Sequence, residues 1–148
     1  MCNNYITFVP MEKMKTLGDG TPISYTINVR GRLIDLGEPL VMGIMNVTPD
    51  SFYANSRVQT AEAIRQRAHQ IVAEGAKIID IGACSTRPGG VVVSAEEEMQ
   101  RLAFALPIVK EAEPDAILSI DTFHADIARR TIEEFGADII NDVEEGKD

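Results

Sequence analysis

The sequence predicts an α/β protein of the (β/α)8 barrel type, with this chain covering about the first four βα units behind an N-terminal hairpin. Three observations lead there. Four short apolar runs, VMGIMNV (41–47), AKIIDIG (76–82), AILSIDT (116–122) and ADIINDV (137–143), are each followed by polar residues or a glycine. Helical patterns lie between them, roughly over 61–74, 95–112 and 125–135. Single polar residues stand near the C-terminal ends of several strands, where barrel enzymes place their active sites. Strands apolar on both faces that alternate with helices make a parallel sheet covered by helices, and the crossovers are right-handed. An open doubly wound sheet fits the same rhythm, but it would be helped by a glycine-rich phosphate loop after the first strand. Here that strand runs into Asn46-Val47-Thr48-Pro49-Asp50-Ser51, without a glycine, so the barrel is favoured.

The elements follow in order. Residues 1–40 read as a lead-in and a β-hairpin, and 41–148 as the barrel body. Met1–Gly20 has no clean periodicity. Thr21–Leu36 reads TPISYTINVRGRLIDL, β-branched residues alternating around Arg30-Gly31-Arg32, which predicts a hairpin turning at Gly31 and able to cap the bottom of a larger body. Ser94 followed by Glu97 is a capping-box pattern at the start of the second helix. Gly75 and Gly136 sit where the first and third helices should end. Pro107, inside the second pattern, predicts a kink or an early break.

Composition narrows the function. Of 148 residues, 14 are Lys or Arg and 23 Asp or Glu, a formal net charge of −9. Such a chain repels phosphate backbones and anionic lipid, which argues against nucleic acid and membrane as partners. A small anionic substrate stays open, because one Arg or a few backbone N–H groups can hold a phosphate locally. Cys2 and Cys84 are too few for a disulfide scaffold. No apolar run approaches the roughly 20 residues of a membrane helix, and MCNNYITFVP lacks a secretory pattern. A cytoplasmic protein is expected. A barrel needs about 250 residues and eight strands, whereas four parallel strands leave both edges open. The chain stops at Asp148, just past a strand. The expectation is the N-terminal half of a longer barrel, apparently truncated, or a half-barrel that a second copy completes.

MGIMNVTPDSF (42–52), IIDIGACSTRPGG (78–90), SIDT (119–122) and IINDV (139–143) together resemble dihydropteroate synthase, the folate-pathway enzyme targeted by sulfonamides. They occur in that family's order and near its spacing, from about Val41 to Val143. The resemblance implies a transferase that joins 4-aminobenzoate to 6-hydroxymethyl-7,8-dihydropterin pyrophosphate, giving 7,8-dihydropteroate and pyrophosphate with the help of Mg2+. It also implies that the parent enzyme is a homodimer.

The reaction sets three physical problems. A multiply charged leaving group must be neutralised. The Asn46 amide oxygen can ligate Mg2+, which takes oxygen donors and keeps several waters, and Asn46 matches the family's metal-linked asparagine. Taken alone, Asn46 reads first as a cap for the turn before Thr48-Pro49; the motif turns the reading to the metal. The pyrophosphate must also be held. Thr86 offers a hydroxyl and Arg87 a planar fork suited to phosphate or carboxylate oxygens, and both match the family's catalytic, pyrophosphate-binding loop. Finally, the pterin edge presents adjacent donors and an acceptor. Asp121 can accept from two N–H groups, and Asn141 can donate and accept; both match pterin-binding positions. Asp121 could instead cap the following helix.

Among their neighbours, Asp80 interrupts an apolar strand and so must be paired, as support for the site. His69 and His124 are expected on helix surfaces or near helix starts, without a second metal ligand. Cys84 has no neighbouring histidine to act as its base. Glu96–Glu98 read as a favourable charge cluster at a helix start.

The sequence departs from the family in three places. Tyr53-Ala54-Asn55-Ser56-Arg57 replaces the usual Asp-Gly-Gly of the first loop, and Cys84 replaces an acidic residue. The family's second-half motifs (a further pterin-binding Asp, a Lys, and an Arg and His) are not found in these 148 residues. The isolated chain is therefore expected to be inactive. Two other readings stand beside the synthase. One is a methyltetrahydrofolate-type pterin-binding methyltransferase domain, which has no need of the Thr86-Arg87 loop. The other is a non-catalytic half-barrel fragment.

Overall fold

The computed structural model describes residues 25–48, 57–84 and 93–142. The hairpin forms as expected: β1 (Thr26–Val29) pairs antiparallel with β2 (Arg32–Asp35). Its two turn residues, Arg30 and Gly31, have φ of 51° and 77°, the positive-φ pair whose twist matches that of the flanking strands. The Gly31 N–H donates to Asn28 Oδ1 at 2.9 Å. A left-handed backbone at Arg30 costs energy for a residue with a Cβ. Its guanidinium offsets this through a two-pronged contact with Asp138, Nε to Oδ1 at 2.8 Å and Nη2 to Oδ2 at 2.6 Å.

The body is a four-stranded parallel sheet in chain order: β3 (Met42–Asn46), β4 (Ile78–Gly82), β5 (Ile117–Asp121) and β6 (Ile139–Asn141). Three helices alternate with the strands, α1 (Arg57–Ala73), α2 (Ala95–Ala112) and α3 (Ala125–Phe135). The helix-facing strand residues Met45, Ile79, Ile81, Leu118 and Ile120 are at most 1% exposed and join one core with Ile64 and Ile71 of α1, Leu102, Leu106 and Val109 of α2, and Ile127 of α3. Burying each large aliphatic side chain is worth about 1.5–3 kcal/mol. At β3 the packing is so close that a Cβ on Gly43 would collide with Ile71 Cγ2.

Ser94 caps α2, its Oγ accepting from the Glu97 N–H at 3.2 Å. The reciprocal half of the capping box does not form, because the Glu97 carboxylate pairs with Arg101 one turn on. The early break that Pro107 predicts does not occur, and α2 continues to Ala112. Pro107 lies on the exposed side, where water can satisfy the carbonyl it leaves unbonded, while Leu106 and Val109 hold the buried stripe in place. Gly136 ends α3 in the left-handed conformation, its N–H returning to Ile132 O.

The opposite face of the sheet is closed only at the N-terminal ends of its strands. There Ile78 and Ile117 pack with Val29, and Ile27, Ile34, Leu40, Met42 and Ile139 flank them. The hairpin thus forms a floor beneath this face, latched by Arg30 to Asp138, whose Oδ2 also accepts from the Leu118 N–H at 3.0 Å.

Candidate functional site

Register decides what stands at the other end. Asn46 is the Cα partner of Gly82, Gly82 of Asp121, and Asp121 of Asn141. Directly paired residues of parallel strands point to the same side, and side chains alternate with period two. The four therefore form one row at the C-terminal edge, on the face turned away from the helices. Beneath it lies a layer of Ile44, Asp80, Ser119 and Ile139, and beneath that the apolar floor. This is the layered interior of a barrel, polar only towards its mouth.

Gly82 makes the row usable. A Cβ there would come within 3.3 Å of Asp121 Oδ2 and 3.5 Å of Asn46 Oδ1. Without one, the Asn46 amide and the Asp121 carboxylate face each other across an open gap. Asp80, one layer down and 4% exposed, accepts from Asn141 Nδ2 at 3.1 Å. Its other oxygen, Oδ1, and the hydroxyl of fully buried Ser119 have no hydrogen-bond partner among the described residues. Partial burial raises the Asp121 pKa above the ordinary carboxylate range, and the charges of Asp80 and Glu98 push it further. Such a carboxyl gains from a ligand that brings N–H donors to it.

Sequence reading missed one element behind the row. Glu96 and Glu97 are exposed, as expected for a charge cluster at a helix start, but Glu98 is wholly buried. Its Oε2 meets His124 Nδ1 at 3.1 Å, linking α2 to the start of α3, and its Oε1 is unpaired among the described residues. The signal was available: Glu98 lies on the same helical stripe as Leu102, Ala105 and Val109, a position where a solvated charge does not belong. His69 is on the surface of α1 and contacts Glu113 at 2.7 Å.

Thr86 and Arg87 lie outside the described residues. The chain leaves them at Cys84, just beyond the Gly82 end of β4, where Arg101 Nη1 donates to the Ala83 carbonyl at 2.8 Å. Among the described residues no group of three or more His, Cys, Asp or Glu side chains could hold a metal ion. What the row offers a cation is oxygen alone, Asn46 Oδ1 and Asp121 Oδ2 on the two sides of Gly82. Of these, the Asn46 amide oxygen is the donor that fits Mg2+, with substrate oxygens and water completing its shell. Among the described residues no helix is long and apolar enough to cross a membrane.

A four-stranded parallel sheet with helices on one face, an apolar floor and a row of hydrogen-bonding groups at its C-terminal edge is a partial (β/α)8-type barrel. The family model described as "Pterin binding enzyme" matches residues 42–148, and the chain belongs to this family. It is 44% identical over 116 residues to a dihydropteroate synthase of Streptococcus pyogenes, covering 78% of this chain and 43% of that protein. Among solved structures it resembles a Xanthomonas albilineans dihydropteroate synthase with 4-aminobenzoic acid (38% identity, TM-score 0.70, 82% of this chain and 45% of the other). It also resembles the Burkholderia cenocepacia enzyme complexed with 7,8-dihydropteroate (36% identity, TM-score 0.63, 82% and 39%). The chain spans less than half the length of these relatives.

Proposed function

We propose that this protein serves as a dihydropteroate synthase, condensing 6-hydroxymethyl-7,8-dihydropterin pyrophosphate with 4-aminobenzoate to give 7,8-dihydropteroate and pyrophosphate. The observation that carries the reading is the single row Asn46–Gly82–Asp121–Asn141 at the barrel mouth. Asp121 accepts two N–H groups of the pterin, a pairing strengthened by its half-buried setting. Asn141 completes the recognition of the ring edge. The segment that follows β4 supplies Thr86 and Arg87, whose hydroxyl and guanidinium hold the pyrophosphate and neutralise the charge that grows as the C–O bond breaks. Asn46 would hold a Mg2+ through Oδ1, and the ion would stabilise the leaving pyrophosphate. The electron-rich ring stabilises the cation left at the CH2 carbon; the arylamine nitrogen forms the C–N bond and then gives up its extra proton to water or the departing pyrophosphate, so a weakly basic amine needs little activation before attack. Parent enzyme as homodimer and cytoplasmic location belong to the same proposal.

The test is direct. Incubating the full natural polypeptide with both substrates and Mg2+ is expected to release pyrophosphate in step with dihydropteroate. Asn46→Ala should weaken Mg2+-dependent pyrophosphate binding and leave binding of the bare pterin largely intact. Asp121→Ala should abolish pterin binding. Tight pterin binding by Asp121→Ala would show that the pocket is assigned to the wrong residues.

A further inference from the structure

Asp80 does more than fill the layer below the mouth. It is nine-tenths buried and more, and it reaches from β4 past β5 to the amide of Asn141 on β6. Side chains from alternate strands share a layer in barrels of this kind, which is how a residue one layer down in register meets the end of the row. A carboxylate can only accept hydrogen bonds, whereas an asparagine amide has a donating and an accepting end. Facing Asp80, Asn141 must turn its NH2 inwards. Its carbonyl Oδ1 then lies on the other side of the amide carbon, committed as an acceptor. An asparagine free to rotate would accommodate a ligand amino or a ligand carbonyl equally well. One held by a carboxylate does not.

We propose that Asp80 is a positioning residue that fixes the Asn141 amide, so that the site selects a ring carrying an exocyclic amino group over the same ring carrying a carbonyl there. The inference rests on the pterin-pocket reading above and deepens it by naming the residue that sets which end of the Asn141 amide meets the ring. Asp80 Oδ1 and the Ser119 hydroxyl, register neighbours that are both unpaired among the described residues, are buried polar capacity that core packing alone would not retain.

The experiment compares binding of pterin and of lumazine, its 2-oxo counterpart, to the full natural polypeptide by calorimetry, with thermal melting recorded alongside. The unaltered protein is expected to favour pterin by about tenfold or more, the cost of leaving a buried acceptor unpaired. D80N puts two rotatable amides face to face, and the preference should fall severalfold, to the part that Asp121 sets by itself. The exchanged pair D80N/N141D retains one carboxylate and one amide in contact and again presents only acceptors to the ring, so the preference should return even if D80N itself fails to fold. If D80N weakens both ligands equally and keeps the preference, or the exchanged pair binds both rings alike, Asp80 is only structural and the inference falls while the pocket stands. If the unaltered protein binds neither ring, the pocket reading falls and takes this inference with it.

Discussion

The two faces of the sheet come from the same strands and are built to opposite ends. On the helix side β3, β4 and β5 contribute side chains that are at most 1% exposed, such as Met45, Ile79, Ile81, Leu118 and Ile120, locked between aliphatic residues of three helices. On the inner side the same strands run from an apolar floor through Asp80 and Ser119 to a row of amide and carboxylate. One face is filled by aliphatic side chains, with Glu98 as its buried charge. The other holds three features a stability-optimised core would not keep: a carboxylate oxygen and a hydroxyl unpaired among the described residues, and a carboxyl with a raised pKa. The difference separates what the protein uses to stand from what it uses to bind.

Substitutions should respect that division, the largest effects first. Leu118→Ala on the helix side empties a fully buried site and should cost about 3–4 kcal/mol in chemical denaturation; a loss below about 1 kcal/mol would mean the helix layer is not tightly packed. Asp121→Ala on the inner side should instead reduce pterin affinity by about a hundredfold, the loss of two charge-assisted hydrogen bonds, with no fall in melting temperature.

At the floor, Arg30→Ala would leave the buried Asp138 carboxylate with the Leu118 N–H but no cation, and should cost about 2 kcal/mol. An unchanged melting curve would show that the hairpin is not latched. The inner face also carries a pH dependence. The folded pKa of Asp121 is raised, so between its ordinary value and the raised one the native state binds more protons than the unfolded chain. Stability from this group is therefore full below the ordinary value and is lost as pH rises through the raised one. Denaturation across the acid range should show this slope in the unaltered protein and lose it in Asp121→Asn. At the small end, His69→Gln breaks an exposed contact with Glu113 and should shift stability by no more than about 0.5 kcal/mol.

The helix side was legible in the sequence because its rule is periodic. Runs such as AKIIDIG and AILSIDT state burial on both faces, and the hairpin announced itself at Arg30-Gly31. The start of α1 lay at Arg57 rather than near Ala61, since polar first turns carry no apolar stripe. The early break that Pro107 suggested did not follow, because on the exposed face of α2 water can take the carbonyl the proline leaves unbonded. At the site, the motifs named Asn46, Asp121 and Asn141 separately. Only the register shows that they form one row, and that Gly82, which carries no chemistry of its own, provides the gap between them. The Asp80–Asn141 bond joins residues 61 positions apart and the Glu98–His124 pair residues 26 apart. Neither can be read from spacing, although a charge placed on an apolar stripe pointed to each.

The most direct test of the central claim is an NMR titration of the full natural polypeptide with pterin, following backbone amides and the asparagine side-chain amides. Shifts centred on Asn46, Gly82, Asp121 and the Asn141 side chain, with the helix-side residues Ile79 and Leu118 unmoved, are the predicted result. Shifts that leave the row untouched and gather in the groove between α2 and α3, around Met99 and Arg130, would contradict it.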